Sequence, residues 1–242
     1  MRLDEYIFKN GYTKSRAKAQ DIILAGCVFV NGVKVTSKSQ NIKDTDKIDI
    51  IQIRKYVSRA GDKLEKAFSE FDISVKDKIC LDIGSSTGGF TDCLLQNGAK
   101  KVYALDVGHN QLVYKLRNDK RVISIEDFNA KNIKREIFEE IPSVVVSDVS
   151  FISITKIAPI IYKELYDLEF WISLIKPQFE AEKSDIPKGG IIKDDTLREN
   201  IINKAINKIE EIGFKEIDRT QSPIKGTKGN IEYLSYFTIK KI

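Results

Sequence analysis

The sequence predicts an α/β protein: a doubly wound, mostly parallel sheet with one antiparallel strand, preceded by a small α+β module. Three observations predict it. From residue 58 onward, short apolar β-branched runs alternate with amphipathic stretches, the rhythm of strands joined by crossover helices. A glycine-rich turn, Gly84-Ser85-Ser86-Thr87-Gly88-Gly89, follows the first apolar run, where small residues let backbone approach a ligand closely. Basic excess is confined to the start of the chain. Residues 1–60 hold 12 Lys and Arg against 6 Asp and Glu, and the other 182 hold 28 against 29. A basic module on a near-neutral body is the charge distribution of a polyanion-binding unit attached to a catalytic one.

Within the basic module, Leu3, Ile7 and Phe8 recur at helical spacing and Gly11 stops the helix. Thr13 or Ser15 then caps a second helix, ended by Gly26, with Ala17, Ile22 and Leu24 as its apolar contacts. Lys14, Arg16 and Lys18 lie in its first turns, where the helix N-terminus itself favours phosphate. Asn31-Gly32 stands between two short apolar runs and marks a hairpin, because both residues tolerate positive φ. A last strand, DKIDII, closes the unit near residue 52. The expected division is a module over 1–53, a linker over 54–57 and a catalytic body over 58–242. The linker, Arg54-Lys55-Tyr56-Val57, has no Gly or Pro to loosen it.

The body opens with SRAGDKLEKAFSEF, a helix with Leu64, Ala67, Phe68 and Phe71 as its apolar stripe. Lys63 precedes Leu64 and reads equally well as a solvated lysine. KICLDIG is the first strand, with Asp82, Gly84, Ser86, Gly88 and Gly89 expected around a ligand in the turn. The strand KVYALDVG ends in Asp106, which can accept hydrogen bonds from both hydroxyls of an adenosine ribose. NAD and S-adenosylmethionine both satisfy that pair. An acidic Asp82 in the turn repels a pyrophosphate and attracts a cationic sulfonium chain, which favours the second. RVISI is a third strand, and Glu126, Asp127 and Asn129 after it are alternatives for the adenine edge. PSVVVSD ends in Asp148, FWISLIK ends in Lys176 with Pro177 fixing its direction, and a glycine-rich turn leads into a final strand carrying Glu232. A strand-end carboxylate in an open parallel sheet faces the ligand crevice.

Some classes fall away. Cys27, Cys80 and Cys93 are odd in number and widely spaced, and His109 is the single histidine. These exclude a disulfide framework, a Cys/His metal site and a histidine-based triad. No apolar run reaches the roughly 18 residues of a spanning helix, and the charged opening residues are unlike a signal peptide. The expected location is therefore the cytosol, and the expected state a monomer without metal or membrane contact.

RLDEYI, SRAKAQDIILAGCVFVNGVKV and the Asp-rich turn before KIDI resemble an S4 RNA-binding domain. YVSRAGDKL, LDIGSSTGGFTDCLLQNGA, LDVGHNQL, SDVSFIS, LIKPQFE and GNIEYL together resemble, at nearly full length, the TlyA family, which joins an S4 domain to an FtsJ-like methyltransferase. The resemblance implies a Rossmann-like body of seven strands, the last antiparallel, that uses S-adenosylmethionine to methylate a cytidine 2′-oxygen in ribosomal RNA. It implies large-subunit (23S) RNA as the main target, with small-subunit (16S) RNA as a further one, because the chain is short like the short-form members. It carries the family's Lys-Asp-Lys-Glu tetrad onto Lys63, Asp148, Lys176 and Glu232. It extends the cofactor set to Thr87, Phe90, Val107 and Asp148, and gives Arg2, Lys14, Ser15, Arg16, Lys18, Asn31, Lys34 and Arg59 as RNA contacts. Family members also carry the name hemolysin. A ribosome-assembly factor with a silent catalytic fold, and a pore-forming hemolysin, are the alternatives from other classes. The intact tetrad argues against the first and the lack of membrane-spanning patterns against the second.

Overall fold

The computed structural model describes residues 1–13, 15–24, 26–51, 55–187, 189–226 and 228–240. The chain divides into two compact units, Met1–Arg54 and Lys55–Ile242. Lys14 and Arg54, expected as an RNA contact and as the first linker residue, lie outside the described residues. Among the described residues, no helix is long and apolar enough to cross a membrane.

In the first unit, α1 (Leu3–Lys9) and α2 (Arg16–Leu24) pack together beside a three-stranded antiparallel sheet. Its strands are β1 (Val28–Val30), β2 (Val33–Val35) and β3 (Ile48–Ile50), in the order β2-β1-β3. Asn31 and Gly32 join β1 to β2 with φ of 51° and 79°, the double positive φ that a two-residue hairpin demands. Of the two expected caps, Ser15 accepts the Lys18 N–H at 3.1 Å. Leu3, Ile7, Ala19, Ile22 and Ile23 form the helical side of the core. Phe8, Ala17 and Leu24, expected to join them, are exposed instead. Ile22 is buried as expected, and Ala19 and Ile23 complete the buried face of α2.

Asp4 has no exposed surface. It accepts hydrogen bonds from Arg2 (3.1 Å), Arg16 (3.1 and 3.2 Å) and Gln20 (2.7 Å). Burial pushes its carboxyl up, but the hydrogen bonds from Arg16, Arg2 and Gln20 outweigh burial and hold it well below the usual carboxylate range. Two arginines are thereby fixed side by side with their outer faces in water.

The second unit is a doubly wound sheet. It starts with helix α3 (Ala60–Phe71), then β4 (Ile79–Ile83), α4 (Gly89–Gln96), β5 (Lys101–Leu105), α5 (Tyr114–Arg117), β6 (Val122–Ile125) and β7 (Val144–Ser147). It continues with α6 (Ala158–Glu164), β8 (Phe170–Ile175), α7 (Pro177–Glu180), α8 (Asp195–Ile212), β9 (Phe214–Gln221) and β10 (Tyr233–Ile239). The strand order is β6-β5-β4-β7-β8-β10-β9. The neighbours from β6 to β8 are parallel, and β10 is antiparallel to both β8 and β9. Strand residues alternate between two cores with a period of two. Leu81, Ile83, Val145 and Trp171 face α6 and α8, whereas Cys80, Val144, Val146 and Ile172 face α3 and α4. The chain order reverses between β4 and β7, the position where open α/β sheets leave a crevice beyond the strand ends.

Asp82 departs from expectation. It lies within β4 rather than in the turn, on the Cys80 face, fully buried against α4. Its Oδ2 accepts the Thr91 hydroxyl at 2.6 Å, and its Oδ1 has no partner. A threonine of the facing helix satisfies it inside the strand. Burial pushes this carboxyl up to about 7, against the bond from Thr91.

The two buried aspartates give opposite pH signatures. With its pKa raised, Asp82 binds more protons folded than unfolded between about pH 4 and 7, so stability falls as pH rises through that window. Thermal unfolding of Asp82→Asn should lose this fall while keeping the Thr91 contact. With its pKa depressed, Asp4 contributes stability that is present above the unfolded value of about 3.9 and lost as pH drops further. Asp4→Asn should cost the first unit about 1–3 kcal/mol at neutral pH, read as faster hydrogen exchange of residues 3–9 in the full chain.

Candidate active site

The turn after β4 is shaped by contact with β7. A Cβ on Gly84 would stand 2.8 Å from the Asp148 carbonyl oxygen, and its φ is 82°, so both space and backbone require glycine. Gly89 is required for another reason. Its missing side chain is filled by Ser58 and Ala60 at the start of α3, and Leu112 and Leu116 crowd Gly88. These two glycines, expected beside a ligand, also make room for close helix packing. Phe90 likewise belongs to the core between α4 and its neighbours, and Thr87 is exposed.

At the crevice lies a cavity of about 400 Å³ lined by Gly84, Ser86, Asp106, Val107, Asn129 and Asp148, with apolar walls from Ile83, Leu105, Ala130 and Ile157. Its volume falls in the range of small-molecule sites. Asp106 follows β5, and its two oxygens accept the Ser86 N–H at 2.8 Å and the Gly108 N–H at 2.7 Å. That fixes the carboxylate while leaving each oxygen a further lone pair for a hydroxyl. Among the described residues, the lining contains two carboxylates and no lysine or arginine, a donor set that suits a cationic ligand and repels a pyrophosphate. The charge argument expected of Asp82 therefore rests on Asp106 and Asp148.

The adenine-edge candidates separate here. Glu126 accepts the N–H groups of Asn110 (2.9 Å), Gln111 (2.9 Å) and Leu112 (3.1 Å), and Arg117 at 2.9 Å. Those bonds, that of Leu112 foremost, hold its carboxyl below the ordinary range against burial. Its visible work is ordering the 108–112 loop. Asp127 is exposed and pairs with His109 at 2.7 Å. Asn129 lines the cavity.

Beside the cavity four charges of alternating sign converge. Lys63 of α3, 9% exposed, donates to Glu232 at 2.8 Å and stands 3.7 Å from Asp148. Lys176, 7% exposed, follows β8 and reaches Asp148 at 2.5 Å. Glu232, 3% exposed, sits one residue before β10 rather than in it. Asp148 follows β7 and binds both lysines. Removing one member of such a buried network leaves an uncompensated charge, at a cost of about 3–5 kcal/mol.

Two residues here escaped sequence reasoning. Ser150 accepts a hydrogen bond from Lys176 at 2.9 Å. Phe151 is 92% exposed with φ of 62°, a rare conformation for a bulky residue and one that marks functional sites. Its ring lies 5.2 Å from that of Phe179. A lone aromatic after SDVS was the available signal, but nothing in its spacing tells exposure from burial.

The RNA candidates of the first unit sit variously. Arg2 and Arg16 share Asp4, Ser15 caps α2, Lys18 pairs with Asp21 at 3.9 Å and Lys34 is exposed. Asn31 is occupied within its own turn, donating to Asp46 and accepting the Lys47 N–H, both at 2.9 Å. Arg59, in the second unit, is exposed just before α3.

Comparison with known proteins matches residues 56–238 to the FtsJ-like methyltransferase family and residues 1–48 to the S4 domain. The chain is 76% identical to Hemolysin A of Brachyspira hyodysenteriae, over 99% of this chain and 100% of that one. It is 36% identical to the 16S/23S rRNA (cytidine-2′-O)-methyltransferase TlyA of Mycobacterium tuberculosis, over 96% of this chain and 87% of the relative. It is also 36% identical to the 23S rRNA (cytidine-2′-O)-methyltransferase TlyA of Campylobacter jejuni, over 98% and 99% respectively. With a methyltransferase sheet, an acid-lined crevice at its switch point and these relatives, the chain belongs to the FtsJ-like methyltransferase family, in the TlyA group that sets an S4 domain before it.

Proposed function

We propose that this protein methylates the ribose 2′-hydroxyl of a cytidine in ribosomal RNA, using S-adenosylmethionine. Large-subunit RNA is the first target and small-subunit RNA the second. The carrying observation is the meeting of Lys63, Asp148, Lys176 and Glu232 beside a cavity lined by carboxylates. The names of the Mycobacterium and Campylobacter relatives support the cytidine ribose as acceptor. The Campylobacter relative, spanned almost end to end, supports the large subunit. In this reading residues 1–53 dock on RNA, 54–57 link and 58–242 catalyse.

S-adenosylmethionine, when bound, supplies an activated methyl on a sulfonium. Asp106 suits its ribose, Val107 and Asn129 its adenine, and Asp148 the positive charge of its amino-acid end. Lys176 holds the acceptor oxygen. Two of the three free positions on its nitrogen are engaged, by Asp148 and Ser150, so one remains for the 2′-hydroxyl: as an N–H it orients the oxygen, and in the neutral amine it is the lone pair that takes the hydroxyl proton as the methyl transfers. Lys63 and Glu232 balance the charge and keep Asp148 turned toward both lysines. Phe151 offers an exposed ring on which the target base stacks, an interaction worth about 1–3 kcal/mol. Arg2, Arg16, Lys18, Lys34 and Arg59 bind phosphates and so position the RNA without reading its sequence.

Tritiated-methyl transfer to unmodified large and small ribosomal subunits tests the reading. The expected result is an alkali-resistant label at one phosphodiester of large-subunit RNA; binding without label on either subunit would leave an assembly factor instead. Lys176→Ala should slow transfer by about 10²-fold or more with subunit binding within about twofold, and full activity in that variant removes Lys176 from the reaction. Deleting residues 1–52 should weaken subunit binding and flatten its salt dependence, by about one unit of slope for each phosphate no longer neutralised. An unchanged salt slope in a filter-binding assay counts against the docking role.

A further inference from the structure

The segment after β7 holds Asp148, Ser150 and Phe151, and it is held at both ends. At its start, the Asp148 N–H continues the sheet by donating to Ile83 at 3.1 Å. At its far end, Glu180 of α7 takes both of the next available donors. Its Oε2 accepts the Ser153 hydroxyl at 2.5 Å, and its Oε1 accepts the Ile154 N–H at 3.0 Å.

α7 follows Lys176 directly, so one short turn grips the segment at three successive points. Lys176 meets Asp148 and Ser150, Phe179 meets Phe151, and Glu180 meets Ser153 and Ile154. Only the third grip lies away from the reacting groups. Between the first and third sits Phe151, whose φ of 62° persists only where its surroundings over-determine it.

We propose that Glu180 is a positioning residue: it latches the Asp148–Ile154 segment to α7 and so sets the relative placement of Lys176, Asp148 and the Phe151 ring. This inference rests on the methyl-transfer reading above. The side chain touches none of the groups proposed to meet substrate or cofactor. Both of its bonds come from uncharged donors, a hydroxyl and a backbone N–H, so what the position requires is two hydrogen-bonding atoms rather than an ion-pair partner. A glutamine satisfies it. Its oxygen accepts the Ile154 N–H, its amide donates to the Ser153 oxygen, and the Ser153 hydroxyl turns to Thr155, whose Oγ1 lies 2.6 Å away.

The test compares the full chain with Glu180→Ala and Glu180→Gln. It reads hydrogen exchange of peptides over 148–156, S-adenosylmethionine affinity by calorimetry and single-turnover methyl transfer to large subunits. In Glu180→Ala, exchange at Ser153–Thr155 should quicken roughly tenfold or more. The single-turnover rate should fall about 10- to 100-fold, as a displacement of about 1 Å implies, with cofactor affinity falling by much less than the rate, although the latched segment also lines the cavity. Glu180→Gln should stay near wild type in all three. Unchanged exchange in the alanine variant overturns the latch. Equal loss in both variants, or cofactor affinity falling in step with the rate, assigns Glu180 a general structural role and overturns the positioning one. A wild-type chain that transfers no methyl sinks the methyl-transfer reading, and the exchange arm still decides whether the latch exists.

Discussion

Four charges taken out of water in one small volume set the terms for the second unit. Lys63, Asp148, Lys176 and Glu232 come from the helix before the sheet, from the ends of β7 and β8, and from the approach to β10. Lys63 and Glu232 are 169 residues apart in the chain. None of the four could be buried alone, since an isolated charge in that setting would neutralise or draw in water. The alternation of sign makes the set collectively neutral, and every acid has a lysine within reach. Well-packed hydrophobic residues would fill the same space at least as stably. Stability alone therefore does not account for charges there.

The crevice beside them follows from topology. The reversal of strand order between β4 and β7 opens the carboxyl edge of the sheet, and Gly84 lets the two backbones come within touching distance there. Asp106 then stiffens the rim by binding the N–H groups of Ser86 and Gly108, and Glu126 does the same for the following loop. Carboxylates thus play two parts on this rim. Some organise backbone, and Asp106 and Asp148 line the cavity and give it its negative character. Acidity at the cavity and basicity in the first unit, where Asp4 aligns two arginines, suit a cationic donor and a polyanionic acceptor in one chain.

Much of this was legible in the amino-acid order. The two helices and the hairpin of the first unit, the strand-ending aspartates at 106 and 148, and Lys176 before Pro177 all follow from local rules. Periodicity of two or 3.6 and the φ demanded by Asn-Gly act over a few residues, so a few residues reveal them. Errors arose where neighbours distant in sequence decide. Phe8 and Leu24 are exposed because the buried face of each helix depends on where its partner lies. Asp82 stays in its strand because Thr91 satisfies it.

The sequence by itself determined the helices and hairpin of the first unit, six strands of the second and the helix before them, the charge division between the two units and the four charged residues that the family resemblance singles out. Only the tertiary structure decided that Lys63 is buried and paired rather than solvated, that Ser150 completes the surroundings of Lys176, and that Phe151 stands exposed in a strained backbone. The physical reason is range. Propensity and turn geometry act along the chain, whereas burial of charge and the orientation of a side chain depend on which strand ends the crossovers bring together.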